Sequence, residues 1–224
     1  DIKQFPCTTK EMIEAQPTDF YCVPSDQIAE YTATTGTQGQ AITVPLTSSD
    51  LHRLALNESR SFAMMGVGSG DTVQLMLTLD RQFMAGMAYY NGALQRGATV
   101  IRSGPGLPVM QWDLLTRYAV TTLVAVPSML QRLFKYAKEH ELNLEDLSVS
   151  KVLCIGENIR QADFSMNPLL SALHQALPVS YYSTYASTEM QTAFTECAHG
   201  QGGHLQPDLL IAEIIDDDGQ VLPP

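Results

Sequence analysis

Basic residues are scarce in this chain. Its 224 residues carry 13 Lys and Arg against 24 Asp and Glu, a net charge of -11, which argues against nucleic acid as the main ligand. A local loop of donors can still hold a small phosphate ligand on an acidic protein. Cysteines are few as well: Cys7, Cys22, Cys154 and Cys197 lack a disulfide-scaffold spacing, as expected of a reduced cytosolic protein. No stretch reaches the roughly 18 apolar residues that a membrane span needs. The opening Asp1-Ile2-Lys3-Gln4-Phe5-Pro6 has neither the basic start nor the apolar run of a signal peptide. A cytoplasmic chain without a membrane partner is the expectation, and no repeat or low-complexity tract interrupts it.

A hydrophobic fraction of 45% over this length is enough to bury a sizeable core. Strand and helix patterns alternate. A helix is predicted from Ser49 to about Met65, capped by Thr47, Ser48 or Ser49, then a strand at Val73–Leu77, a helix at Arg81–Arg96 and a strand at Thr99–Arg102. A helix around Met110–Tyr118, a strand at Thr122–Val126 and a helix from Pro127 or Ser128 to His140 follow. Last come a strand at Lys151–Ile155, with Cys154 as a buried residue, a helix around Asn167–Gln175 and a strand at Val179–Ser183. Such alternation predicts an α/β fold with a mostly parallel sheet flanked by helices. Met190–Cys197 and Leu209–Asp216 read as β-rich, so the region from about 190 to 224 forms a subregion where the sheet order changes.

Two segments stand out chemically. Thr34-Thr35-Gly36-Thr37-Gln38-Gly39 offers hydroxyl donors and two glycines that can bring N–H groups close to an anion. It lacks the Gly-Lys-Ser/Thr ending of a Walker loop, and an ordinary polar turn is the alternative. Tyr185-Ala186-Ser187-Thr188-Glu189 offers a ring to stack on a base, a hydroxyl for a phosphate and a carboxylate for a hard cation such as Mg2+. Both this segment and Gly156-Glu157 follow predicted strands, where ligands collect in open α/β sheets. Cys197, His199 and His204 carry ligand types suited to a structural Zn2+, without a standard finger spacing and without an evident fourth ligand.

These segments resemble the AMP-forming adenylate enzymes, the acyl-CoA synthetases, and among them the phenylacetate-CoA ligase type. Phe5-Pro6-Cys7-Thr8-Thr9-Lys10 is similar to the family's lead-in, and the Thr/Gly loop to its Ser-Ser-Gly-Thr-Thr-Gly-Lys. Gly92-Ala93-Leu94-Gln95-Arg96-Gly97-Ala98-Thr99-Val100-Ile101 resembles its helix-to-strand passage, and Val126-Pro127-Ser128 its Thr-Pro-Ser. Gly156-Glu157 resembles the end of Gly-Ala-Glu, Tyr185 to Glu189 resembles Tyr-Gly-x-Ser/Thr-Glu, and His204 to Asp208 with Glu213-Ile214-Ile215-Asp216 resembles the close of the large domain. The resemblance covers nearly the whole chain, in the family order.

The resemblance implies ATP, Mg2+ and CoA as cofactors and cosubstrate, and a small carboxylic acid as substrate. It places Thr35, Gly36, Thr37, Gln38 and Gly39 near the phosphates, Gly156, Glu157, Tyr185, Ala186 and Ser187 around the nucleotide, Thr188 at the α-phosphate and Glu189 at Mg2+. It places Tyr89, Tyr90, Asn91, Val126, Ser128 and Tyr182 in the acyl pocket, where tyrosines suit an aryl acid. The bland alternatives are that Glu157 and Glu189 are helix-start or surface carboxylates and that Tyr185 is core. Gln40 stands where the family has the loop lysine, Gln38 where it has a threonine, and Ala186 where it has a glycine. The resemblance further implies that residues 1–224 are an incomplete large domain, the ribose-binding aspartate, hinge and mobile C-terminal lid domain being missing. Three functions stay open: an acyl-CoA ligase, a second copy of the chain being a candidate partner; an enzyme passing the acyl group from its adenylate to a protein or amine; and a nucleotide-binding module without catalysis.

Overall fold

The computed structural model describes residues 6–34, 41–216 and 219–222. After a short helix α1 (Lys10–Ala15), strands β1 (Ile28–Ala33) and β2 (Thr43–Thr47) form an antiparallel hairpin in a sheet of their own. Thr47 ends β2 and caps helix α2 (Ser48–Met64). Its side chain accepts from the Asp50 N–H at 3.2 Å, and the Asp50 carboxylate accepts from the Thr47 N–H at 2.9 Å. Two otherwise unpaired backbone donors are satisfied reciprocally, which sets where the helix begins.

The main sheet has seven strands: β3 (Thr72–Met76), β4 (Thr99–Arg102), β5 (Thr122–Ala125), β6 (Lys151–Cys154), β7 (Ser180–Ser187), β8 (Thr192–Glu196) and β9 (Gly203–His204). Their order is β4-β3-β5-β6-β7-β8-β9, parallel from β4 to β7 and antiparallel beyond. The parallel crossovers are made by α3 (Met84–Gln95), α4 (Pro108–Arg117), α5 (Pro127–Glu139) and α6 (Pro168–Ala176). Proline in the first turn of the last three gives up no helical hydrogen bond.

Alternation along the strands divides the core into two layers. Leu123, Ala125, Val152 and Cys154 pack with Leu115, Leu130, Leu133 and Leu170, the layer of α4, α5 and α6. Val124, Leu153 and Ile155 pack with Phe62, Met65, Tyr89 and Ala93, the layer of α2 and α3. Successive side chains of a strand point to opposite faces, so continuous apolar strands require helices on both sides. Cys154 is fully buried in this core. Burial, and next the Glu196 charge, push its thiol up to about 12.

The expected mixed, mostly parallel α/β fold is what the structure holds, with four local differences. Strand β7 runs on to Ser187, taking in Tyr185 to Ser187, where the sequence predicts a strand ending at Ser183. The helix predicted from Arg81 begins at Met84, because Arg81 and Gln82 take left-handed φ angles of 55° and 60°. The segment Leu209–Asp216 forms no strand. It is taken up by a turn in which Leu209 and Leu210 donate to the Gln206 carbonyl, and by one bridge between Ile215 and Val221. Strand β1 was not anticipated, since Ile-Ala-Glu-Tyr-Thr-Ala alternates poorly. Among the described residues no helix is long and apolar enough to cross a membrane.

Candidate functional site

The strand order steps to opposite sides of β3, to β4 on one side and β5 on the other, and a crevice opens beyond the carboxyl ends of strands at such a reversal. A cavity of about 540 Å³ lies there. Val126 follows β5 and Ile155 and Gly156 follow β6. Thr184, Ala186 and Ser187 come from β7, Thr188 and Glu189 from the turn after it, and Thr192 from β8. Gly156 has φ +73°, a left-handed backbone that any side chain would strain. The other wall is apolar: Leu54 of α2 with Phe83, Met84, Ala85, Ala88 and Tyr89 at the start of α3.

The turn bearing Thr188 and Glu189 is tied from two sides. Ser187 accepts from the Met190 N–H through its hydroxyl at 3.1 Å and from the Gln191 N–H through its carbonyl at 3.2 Å. Arg53 of α2 donates to the Gln191 carbonyl at 3.0 Å. Glu189 is exposed, and among the described residues its carboxylate has no hydrogen bond or ion pair with protein. A carboxylate free of protein partners beside two hydroxyls fits a hard cation shared with a phosphate.

Residues 35–40 lie outside the described residues, and with them the expected phosphate-loop residues Thr35, Gly36, Thr37, Gln38 and Gly39. Thr34, immediately before them at the end of β1, does line the cavity. Its N–H donates to the Ile42 carbonyl and its hydroxyl accepts from the Ile42 N–H, both at 3.0 Å. These bonds close the end of the β1–β2 hairpin on either side of residues 35–40.

The cavity brings together Tyr89, Val126, Gly156, Ala186, Ser187, Thr188 and Glu189. It leaves others elsewhere. The Glu157 carboxylate accepts from the Ser128 N–H at 2.9 Å and from the Ser128 hydroxyl at 2.7 Å, so both hold the first turn of α5, where the helix dipole favours an anion. Tyr90 turns away from Tyr89 to lie under Arg102, 5.4 Å from its ring. Asn91 lines a separate cavity between α2 and α3 with Leu51 and His52. Tyr182 packs in the core layer of Val124 and Leu153. Tyr185 points to the other side of β7 from Ala186. It is 66% exposed and stacks on Phe194 at 6.1 Å, over a depression shared with Asn158 and Arg160.

The zinc expectation is corrected. Cys197 lies against Arg160, His174 and Tyr181, His199 sits in a turn closed by the Gly200 N–H on the Cys197 carbonyl at 3.1 Å, and His204 pairs with Thr195 in β9. Among the described residues no group of three His, Cys, Asp or Glu side chains is placed to hold a metal ion. The close spacing serves a turn between antiparallel strands β8 and β9.

Two charged lining residues were not anticipated as site residues. Lys10, the first residue of α1, brings a cation to the cavity. Glu58 of α2 is 5% exposed, and burial lifts its carboxyl from an ordinary 4.5 to about 7 against the lowering effect of the nearby Asn57 and Ser61 side chains. Burial, then the Glu58 charge, lift the Tyr89 phenol well above its usual range. A glutamate on the apolar face of an amphipathic helix was the available signal.

The family described as AMP-binding enzyme matches residues 4–224, and the chain belongs to it. More particularly, it is 25% identical over 228 residues to a phenylacetate-coenzyme A ligase of Thermus thermophilus, covering 100% of this chain and 50% of that protein. It is 30% identical over 129 residues to the phenylacetate-coenzyme A ligase of Escherichia coli, covering 57% of this chain and 29% of that protein. A 2-hydroxyisobutyryl-CoA ligase solved with 2-HIB-AMP and CoA superposes with a TM-score of 0.79 at 23% identity, over 95% of this chain and 46% of that one. The chain spans about half the length of the curated relatives it matches over its full extent.

Proposed function

We propose that the protein to which this chain belongs activates a carboxylic acid with ATP, as an acyl-adenylate, and passes the acyl group to CoA. The observation that carries this is the single cavity where Thr34 before the Thr/Gly segment, Gly156 after β6 and Ala186–Glu189 at the end of β7 meet an apolar wall. A substrate carboxylate oxygen attacks the α-phosphorus of ATP, the bond to the β-phosphate oxygen breaks and pyrophosphate leaves. The CoA sulfur then attacks the acyl carbon, the bond to the AMP oxygen breaks and the thiol proton passes to solvent. No protein nucleophile is required.

Thr188 donates its hydroxyl to the α-phosphate and Glu189 holds Mg2+. When bound, the ion neutralises phosphate charge. Tyr185, on the other side of β7 from Ala186, presents an exposed ring for the base, and Glu157 and Ser128 fix the start of α5. Phe83, Met84, Ala88 and Tyr89 receive the acyl group, and this aromatic and apolar lining favours an aryl acid. Each residue acts by holding the reactants in line.

The test is carboxylate-dependent exchange of pyrophosphate into ATP, followed by CoA-dependent AMP release, on the protein at its native length. Glu189→Gln lowers exchange roughly 100-fold while leaving the circular dichroism spectrum unchanged. Exchange that is undiminished in this variant overturns the assignment of Glu189. The absence of exchange with every acid tried overturns the activity.

A further inference from the structure

The cavity wall formed by α2 carries a polar cluster that the adenylation chemistry does not use. Asn57 donates to the Glu58 Oε1 at 3.3 Å and to the Ala193 carbonyl at 3.4 Å, and its Oδ1 accepts from Thr192 at 2.6 Å. One helical turn on, Thr195 donates to Ser61 at 2.9 Å and stands 3.0 Å from the Thr184 hydroxyl. Thr184, Thr192 and Glu58 line the cavity. The other carboxylate oxygen, Glu58 Oε2, is buried and has no hydrogen-bond partner in the protein. Leaving such an atom unpaired is costly, and a site built around one discriminates strongly for the ligand that supplies the missing donor.

The side chain has little freedom to find a partner elsewhere. Gly92 of α3 lies so close that a Cβ there would be 2.6 Å from the Glu58 Cβ and 2.8 Å from its backbone carbonyl carbon. The two helices are locked at this point. Of the cavity residues, Leu54, Met84 and Ala88 are apolar, the Tyr89, Thr184 and Thr192 hydroxyls make no hydrogen bond to the free oxygen, and among the described residues no cation, Lys10 included, pairs with Glu58.

We propose that Glu58 is a specificity-determining residue: its free oxygen forms a hydrogen bond with a hydroxyl or amino group on the substrate acid, remote from the reacting carboxylate. The preferred substrate is then an acid with an apolar body and a polar donor, rather than an unsubstituted aryl or alkyl acid. The inference rests on the proposed function for what enters the cavity, though it concerns only which acid fits.

The test compares acids that differ in one group, methyl against hydroxyl or amino at the 3- or 4-position of phenylacetate and at the far end of a linear acid. Both kcat/KM for exchange and equilibrium binding of the acid without ATP are measured. The native protein is expected to favour one of the donor-bearing acids by at least about tenfold. Glu58→Leu is expected to erase that ratio, and Glu58→Gln, which keeps an acceptor oxygen, to retain part of it. A purely structural role changes stability or overall rate and leaves the ratio untouched. Exchange with every acid at an equal ratio, or a donor preference that survives in Glu58→Leu, overturns the inference and leaves the proposed function standing. Preferential binding without exchange has the converse meaning, and absence of both overturns both.

Discussion

A carboxyl whose proton is held more tightly in the folded chain than in the unfolded chain makes stability depend on pH, and Glu58 is such a group. Burial raises it to about 7 from 4.5. Between those values the folded chain keeps a proton that the unfolded chain has released. The contribution is therefore fully present below 4.5 and is lost as the pH rises through 7, for a total of about 3 kcal/mol. Glu58→Gln removes this dependence. Urea unfolding at pH 5 and pH 8 is expected to show the variant gaining about 2–3 kcal/mol on the native protein between the two conditions. A difference that does not change with pH would mean that water reaches the carboxyl freely. Glu196 shows the contrasting arrangement. It is 2% exposed, but its carboxylate takes two hydrogen bonds at 3.1 Å from Arg160 and one at 3.0 Å from the Ser183 N–H, so its charge is answered where it lies.

Helix α2 is the element on which the site depends. Its first turn is set by Thr47 and Asp50 and its middle carries Leu54 and Glu58 into the cavity. Arg53 braces the turn of Glu189, while Arg60 holds Asp208 in a two-pronged pair, with Nη2 to Oδ2 at 2.8 Å. Its seam with α3 requires Gly92, which is buried within van der Waals reach of Glu58 and Ser59. A methyl group there has nowhere to go. Gly92→Ala, although it favours an isolated helix, is expected to cost about 1–3 kcal/mol by forcing the helices apart, read from the urea midpoint. A neutral or stabilising result would show that the seam can relax, and Glu58 with it.

At the scale of the molecule, the cavity draws on both sheets and on both helices of one core layer: the hairpin supplies Thr34, the parallel strands Ile155 and Gly156, the antiparallel return Thr192, and α2 and α3 the apolar wall. A ligand that bridges these parts stabilises the fold as a whole. Under the proposed function, Mg2+-ATP at about 100 times its dissociation constant is expected to add about 2.7 kcal/mol, measured as a shift in thermal unfolding. The shift should shrink in Glu189→Gln. An equal shift in both proteins would place the nucleotide away from the turn after β7.

The alternation of apolar strands with amphipathic helices was legible in the chain itself, because a strand such as Thr122–Ala125, buried throughout, demands cover on both faces. The positions of Gly156, Thr188 and Glu189 after strands were also legible, whereas Tyr185 to Ser187 continue β7 rather than follow it, and Glu157 turns to the start of α5. Side-chain direction was not. Whether Tyr185 or Ala186 faces the cavity is decided by the register of β7 on β6 and β8, and a single step exchanges the two faces. Cys197, His199 and His204 were neighbours in sequence that a turn and a strand pairing set apart. Glu58 read as one carboxylate among 24 acidic residues. Only the approach of α3 at Gly92, and the cavity beyond it, deprived one of its oxygens of water and of a partner. Local pattern thus determined the layers of the protein, and long-range packing determined which polar atoms remain for a ligand.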